Sequence, residues 1–187
     1  MRTLLIVAHP RPGALIHAMA QRFARKVEQL GGELELVDLY RDGFDPVVRV
    51  DEYDGWRSQE VPEDVAAYQS RLKQAQNLVL AYPVWWATPP AIMQGWLQRV
   101  MTHGFAFSFG EKGAQGHLQL KAGLLVNVGS PDDTLAAEYL EPIQGVLKYC
   151  GVEDIRTCVN WGIYPGADGG KAKRALRMAE EFAVEFV

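Results

Sequence analysis

The chain has 187 residues, 48% of them hydrophobic and 22% charged, with a formal net charge of −4. That length suits one domain with a full core. The acidic balance gives nucleic-acid binding no electrostatic support, and no apolar run approaches the ~20 residues of a membrane span.

Residues 1–8, MRTLLIVA, lack the charged region, long apolar stretch and cleavage site of a signal peptide, so a cytoplasmic chain is expected. Within them, 3–8 is a short, continuously apolar run, the pattern of a strand buried on both faces. Over 14–30, Leu15, Met19, Phe23, Val27 and Leu30 recur at helical spacing, and Gly31-Gly32 ends the helix. A second strand is expected over 33–39. The segment 40–62, YRDGFDPVVRVDEYDGWRSQEVP, is irregular and long enough to hold short helical turns. A helix over 63–75 follows Pro62. Strand three covers 77–82, and prolines precede a helix over 91–101. Residues 102–121 read as a glycine-rich aromatic loop. Strand four (122–128), a helix (134–149), strand five (153–161) and a last helix (171–186) complete the chain. Cys150 and Cys158 have no metal-ligand spacing and read as buried thiols in a reducing compartment.

Strands alternating with helices give a doubly wound, five-stranded parallel α/β sheet with helices on both faces, in the order 2-1-3-4-5. Its switch point lies between strands one and three, outside their carboxyl ends, where ligands bind. Three loops converge there. The first, AHPRPGALIHAM, places backbone N–H groups and the positive end of a helix at the switch point. Gly13 permits close approach, and His9, Arg11 and His17 add potential charge. It is neither a Walker loop nor a GxGxxG fingerprint. The second, YPVWWATPPAIMQGW, holds Trp85 and Trp86 between Pro83 and Pro89-Pro90, a stiff aromatic wall for a planar ligand carrying a phosphate. The third, NVGSPDD, offers Asn127, Val128, Gly129 and Ser130. The four histidines are scattered, and no triad, carboxylate pair or metal-ligand cluster converges on the loops. The chemistry is therefore expected to come from a cofactor, and phosphate site plus aromatic platform points to flavin.

Carried by YPVWWATPPAIMQGWLQRV, HGFAF, AHPRP and DLYRDGFDPV, the sequence from about residue 4 to 150 resembles the flavodoxin-like NAD(P)H dehydrogenase (quinone) family. That family takes in quinone reductases, modulator-of-drug-activity proteins and ancillary subunits of glutathione-gated potassium efflux systems. The resemblance implies a flavodoxin-like fold, FMN (alternatively FAD) as cofactor, NAD(P)H as co-substrate and a quinone or similar flat acceptor. It implies that Pro83, Val84, Trp85 and Trp86 lie along the flavin ring. His9 and the turn Gly13, Ala14, Leu15, Ile16 would hold the phosphate, and Asn127, Val128, Gly129 and Ser130 would meet the pyrimidine side. Phe105, Phe107 and Phe109 would line a substrate cleft at a homodimer interface, with Trp86 as its facing wall. The helix carrying Trp96 would serve internal packing or that interface. Where the family's phosphate turn usually carries Ser, Thr or Asn, this chain reads GALIH, which shifts binding toward backbone amides, His17 and Arg11. The family's TTGG is NVGS here, and the Tyr/His pair of the animal enzymes has no clear match, so no acid or base is assigned. The alternative function is an ancillary subunit peripherally associated with a transporter, with 40–57 as its partner surface.

Overall fold

The computed structural model describes residues 1–55, 60–111, 113–164, 166 and 168–187. In chain order the elements are β1 (Arg2–Val7), α1 (Leu15–Gln29), β2 (Glu33–Asp38), α2 (Val50–Gly55), α3 (Glu63–Gln74), β3 (Asn77–Pro83) and α4 (Ala91–Val100). There follow β4 (Phe107–Gly110), β5 (Gly113–Gly116), β6 (Lys121–Asn127), α5 (Ala136–Tyr149), β7 (Ile155–Asn160), α6 (Gly169–Ala183) and a 3-10 turn, Val184–Phe186. The main sheet runs β2-β1-β3-β6-β7, and every pair in it is parallel. This is the expected 2-1-3-4-5 order, counted over the five sheet strands.

Side-chain alternation along the central strands divides the core in two. Leu4 and Ile6 of β1, with Leu78, Leu80 and Tyr82 of β3, face α3, α4 and α5. Leu5 and Val7, with Val79 and Ala81, face α1, α6 and the terminal 3-10 turn. β1, β3 and β6 are covered on both faces, which explains their unbroken apolar sequences. Each fully buried Leu, Ile or Val there contributes roughly 1.5–3 kcal/mol of transfer free energy. Trp96 is wholly buried, with Tyr68 edge-on at 6.2 Å. It belongs to helix packing, and its ring is not available to a dimer surface.

Of the two segments read as irregular, one is more ordered than expected and the other holds the turn expected of it. The aromatic loop 102–121 contains the antiparallel β4–β5 hairpin. Its period-2 Phe105, Phe107, Phe109 pattern is short and bounded by Gly104 and Gly110, which masks the strand signal. Within 40–62, α2 supplies the expected helical turn, while residues 56–59, including Arg57, lie outside the described residues. Residues 44–55 are docked on α4. Pro46 packs so closely on Gly95 that a Cβ there would overlap it. Buried Arg99 of α4 donates through Nε to both Glu52 carboxylate oxygens at 3.0 Å. Helix α6 begins two residues earlier than expected, because Asp168 caps it by accepting the Gly170 N–H at 3.1 Å.

Candidate functional site

At the carboxyl edge of the sheet, the chain leaves β1 toward β2 on one side, and β3 lies on the other. The loops after β1, β3 and β6 open there around a cavity of about 660 Å³. That size falls within the range of small-molecule sites. Of the residues singled out from sequence, His9, Arg11, Gly13, Ala14, Leu15, Ile16, Pro83, Val84, Trp85, Asn127 and Gly129 line it.

The turn into α1 supplies the donors. Ala14 occupies the N-cap without a side-chain cap. The Ala14 carbonyl accepts from His17 and Ala18. The Leu15 and Ile16 N–H groups have no partner among the described residues. Helix geometry aims such groups outward, where they favour an anion. Gly13 takes φ +73 with open space where a Cβ would stand. His9 accepts the Arg11 backbone N–H on Nδ1 at 3.0 Å. In the neutral ring Nε2 then carries the hydrogen and is a donor. Burial foremost, and then the neighbouring His17, hold the His9 pKa below the ordinary histidine value. The ring is braced edge-on by Trp85 at 5.5 Å.

The opposite wall rests on β3 and β6. Val84 donates its N–H to the Asn127 carbonyl at 2.8 Å, which ties the two strand ends together. The Asn127 side chain is buried, and its Oδ1 has no donor. A buried acceptor left unmet costs roughly 1–3 kcal/mol, so a ligand N–H is favoured there.

Four of the residues expected at the cofactor do not line this cavity. His17 turns toward β2, where Nε2 meets Asp38 Oδ2 at 3.0 Å. Val128 and Ser130 use their backbones to hold the loop after β7: the Val128 carbonyl accepts from Ile163 at 2.9 Å and the Ser130 carbonyl from Gly162 at 2.6 Å. Trp86 stands in solvent, 99% exposed. It and Ala87 form the tip of a turn closed by reciprocal Trp85–Thr88 backbone bonds of 2.8 and 3.1 Å, with φ of 52° and 63°. Positive φ at both central positions is the type I′ pattern, normally the province of Asn and Gly. Trp85 thus lines the cavity, while Trp86, expected as the facing wall of the substrate cleft, stands outside it within one chain.

Phe107 lies elsewhere. It packs on Tyr149 at 5.0 Å in an apolar groove with Leu97 and Met101. Phe105 sits against Lys73 on another face. Two wall residues escaped the sequence reading, Ile163 and Tyr164. The available signal was WGIYPG, a glycine-aromatic stretch at another strand's carboxyl end. The switch-point rule points to the ends of β1, β3 and β6 and not to this one. Among the described residues, no group of three or more His, Cys, Asp or Glu could hold a metal ion. No helix there is long and apolar enough to cross a membrane.

A doubly wound sheet of this order with its cavity at the switch point defines a flavodoxin-like protein. The chain belongs to the family described as flavodoxin-like fold, which it matches over residues 1–183. It is 30% identical over 166 residues to an uncharacterized NAD(P)H oxidoreductase of Haemophilus influenzae, covering 83% of this chain and 81% of that one. It is 25% identical to an NAD(P)H dehydrogenase (quinone) 1 of Cavia porcellus, covering 87% and 69%. The structure of an NAD(P)H:quinone oxidoreductase from Methanothermobacter marburgensis superposes with a TM-score of 0.86 at 27% identity, covering 98% of this chain and 95% of that one. The family resemblance carried by the tryptophan-proline motif is borne out.

Proposed function

We propose that the protein is a flavin-dependent NAD(P)H oxidoreductase, with FMN as cofactor and FAD as the alternative. It would pass two electrons from NAD(P)H to a quinone or similarly flat acceptor. The observation that carries this reading is the pairing of unmatched groups across one cavity: the free Leu15 and Ile16 amides at one wall and the orphaned Asn127 Oδ1 at the other. A flavin mononucleotide presents a phosphate for the first and an imide N–H for the second, so the residues fit the group. The names of the relatives support the same reading.

A bound flavin would supply hydride acceptance and return, chemistry that no side chain here provides. The chain's own part is binding and orientation. The α1 amides and the Nε2–H of His9 would hold the phosphate, with Arg11 adding charge. Val84 and Trp85 would wall one face of the ring, and Asn127 would fix its orientation. The described lining residues include no carboxylate, and solvent would supply protons where no side chain does. Phe107, remote from its own chain's cavity, can line an acceptor cleft only against a second copy, and a homodimer is part of this proposal. The transporter-subunit alternative is not favoured: much of its supposed partner surface, 44–55, is instead anchored on α4.

The test is direct. Protein incubated with FMN and desalted should be yellow and should oxidise NAD(P)H when a quinone is present. A chain that retains neither FMN nor FAD and consumes no NAD(P)H would overturn the reading.

A further inference from the structure

A flat acceptor that takes up a hydride becomes an oxyanion and needs a proton. The described cavity walls include no carboxylate, and their one histidine, His9, stands at the phosphate end with Nδ1 taken by the Arg11 amide. Another histidine belongs to an aromatic cluster on a different face. His103 stacks on Phe109, with ring centres 5.8 Å apart and planes at 19°, and meets Phe107 edge-on at 5.9 Å. The backbone fixes the group: the Gly104 N–H donates to the Phe107 carbonyl at 2.7 Å, and His103 is bridged to Phe107. Phe107 rests in turn on Tyr149. His103 is half-buried, and neither ring nitrogen has a hydrogen-bond partner among the described residues. Phe109 beside it is 67% exposed. The cluster thus holds in place an imidazole whose nitrogens are both unspent.

The surface around the cluster suits a second copy of this chain. The groove beside Phe107 runs along one stripe of α4, Gln94, Leu97, Gln98 and Met101, and is closed by Val146 and Tyr149 of α5; no charged residue lines it. On a chain of net charge −4, an uncharged aliphatic and aromatic face is where like copies meet without repulsion. Helix α4 also ties this face to the cavity. It starts just after the Trp85–Pro90 loop at the cavity rim, and its last turn leads into His103 and the hairpin. Ten residues at 1.5 Å each put those two ends about 15 Å apart. A two-fold axis across the middle of α4 exchanges the ends. The hairpin of one copy then meets the cavity mouth of the other, beside Trp86, which its own chain leaves 99% exposed.

We propose that His103 acts across this contact, as the group that protonates the reduced acceptor in the other copy's cavity. This rests on the flavin-dependent function and the homodimer proposed above. The acceptor takes one hydrogen and two electrons as hydride from the reduced flavin, which leaves one carbonyl oxygen of a quinone as an oxyanion. The imidazolium N–H of His103 breaks as the new O–H bond forms, and the quinol is complete. The imidazole regains its proton from solvent. Histidine suits this exchange because it gives and takes a proton near neutral pH.

His103→Gln tests this through separate half-reactions of the FMN-loaded protein in rapid mixing. The Kd of FMN and the rate at which NADH bleaches the bound flavin should stay within about twofold of wild type. Reoxidation by benzoquinone should slow at least tenfold. Reoxidation by ferricyanide, which takes electrons and no proton, should stay within about twofold, and this separates proton delivery from a merely structural role. Mixed dimers then test the direction. Gly13→Asp puts a carboxylate in the phosphate turn and serves as a flavin-free subunit with its own His103. Paired with a His103→Gln subunit, it should restore benzoquinone reoxidation, per flavin, to within about twofold of wild type. The proposal falls if His103→Gln leaves the benzoquinone rate unchanged, if both oxidants slow alike, or if the mixed dimer stays slow. It falls as well if sedimentation shows wild type turning over quinone as a monomer. A wild type that takes up no flavin overturns the proposed function and this proposal with it; a loaded wild type with any of the other failures overturns this proposal alone.

Discussion

His9 meets the cavity as a hydrogen-bond donor rather than a cation, because the Arg11 amide occupies Nδ1 and burial opposes protonation. The folded pKa lies below the ordinary value of about 6.5, so between the two the unfolded chain binds more protons. Stability contributed by neutral His9 is therefore lost as pH falls through that window. The drop in Tm from pH 7 to pH 5.5 should be smaller in His9→Gln than in wild type; equal drops would mean that His9 does not couple to folding. The Trp86–Ala87 tip holds two L-residues in the left-handed region, at a cost of about 1–2 kcal/mol each. Ala87→Gly should raise Tm by about 2–4 °C in a thermal melt. A lower Tm would show that the turn is not left-handed in solution. This geometry was not legible in the sequence. Trp-Ala does not announce a type I′ turn, so which tryptophan faces the cavity could not be settled from residue order. The buried thiols were legible. Burial pushes Cys150 and Cys158 each up to about 11, so thiolate is scarce at pH 8. Iodoacetamide should label neither within an hour on the native protein and both after denaturation.

At the scale of elements, continuous apolar runs made β1, β3 and β6 readable, since burial on both faces leaves one pattern. Segment 44–55 was harder to read, because long-range polar contacts hold it. Arg99 joins Glu52 on α2 to Asp64 on α3, at 2.8 Å from Nη1 to Oδ2, and also donates to the Asp45 carbonyl at 2.8 Å. Its guanidinium lies 5.2 Å from the centre of the Phe44 ring. Nothing in a single sequence pairs an arginine with a glutamate 47 residues away. Glu52 is 4% exposed, so removing its partner strands a carboxylate in the interior. Arg99→Leu should cost about 3–5 kcal/mol in urea unfolding. Adding Glu52→Leu should recover part of that loss, because the unpaired charge goes with it. A loss below ~1 kcal/mol in the single variant would mean that Glu52 reaches water without its partner.

The whole molecule places its site by topology. Two helical layers cover a parallel sheet, and its carboxyl edge opens where the strand order reverses, between β1 and β3. That much follows from the order of apolar runs alone. The β7 side of the cavity does not, because a loop folding back over a neighbouring strand end depends on the Gly162 and Ile163 backbone bonds, which leave no periodic trace. An open cavity with unmatched donors also makes stability depend on ligand. A ligand that binds only the folded chain stabilises it by about 2.7 kcal/mol at one hundred times its Kd, roughly 5–11 °C in Tm for a chain of this size. FMN at that excess should give such a shift. Riboflavin at the same concentration offers the ring to Asn127 and Trp85 but leaves the Leu15 and Ile16 amides and His9 without an anion. Charge-assisted hydrogen bonds contribute about 1.5–3 kcal/mol each, so the riboflavin shift should be less than half that of FMN. Equal shifts would place the phosphate outside the α1 turn and leave the ring contacts as the source of affinity.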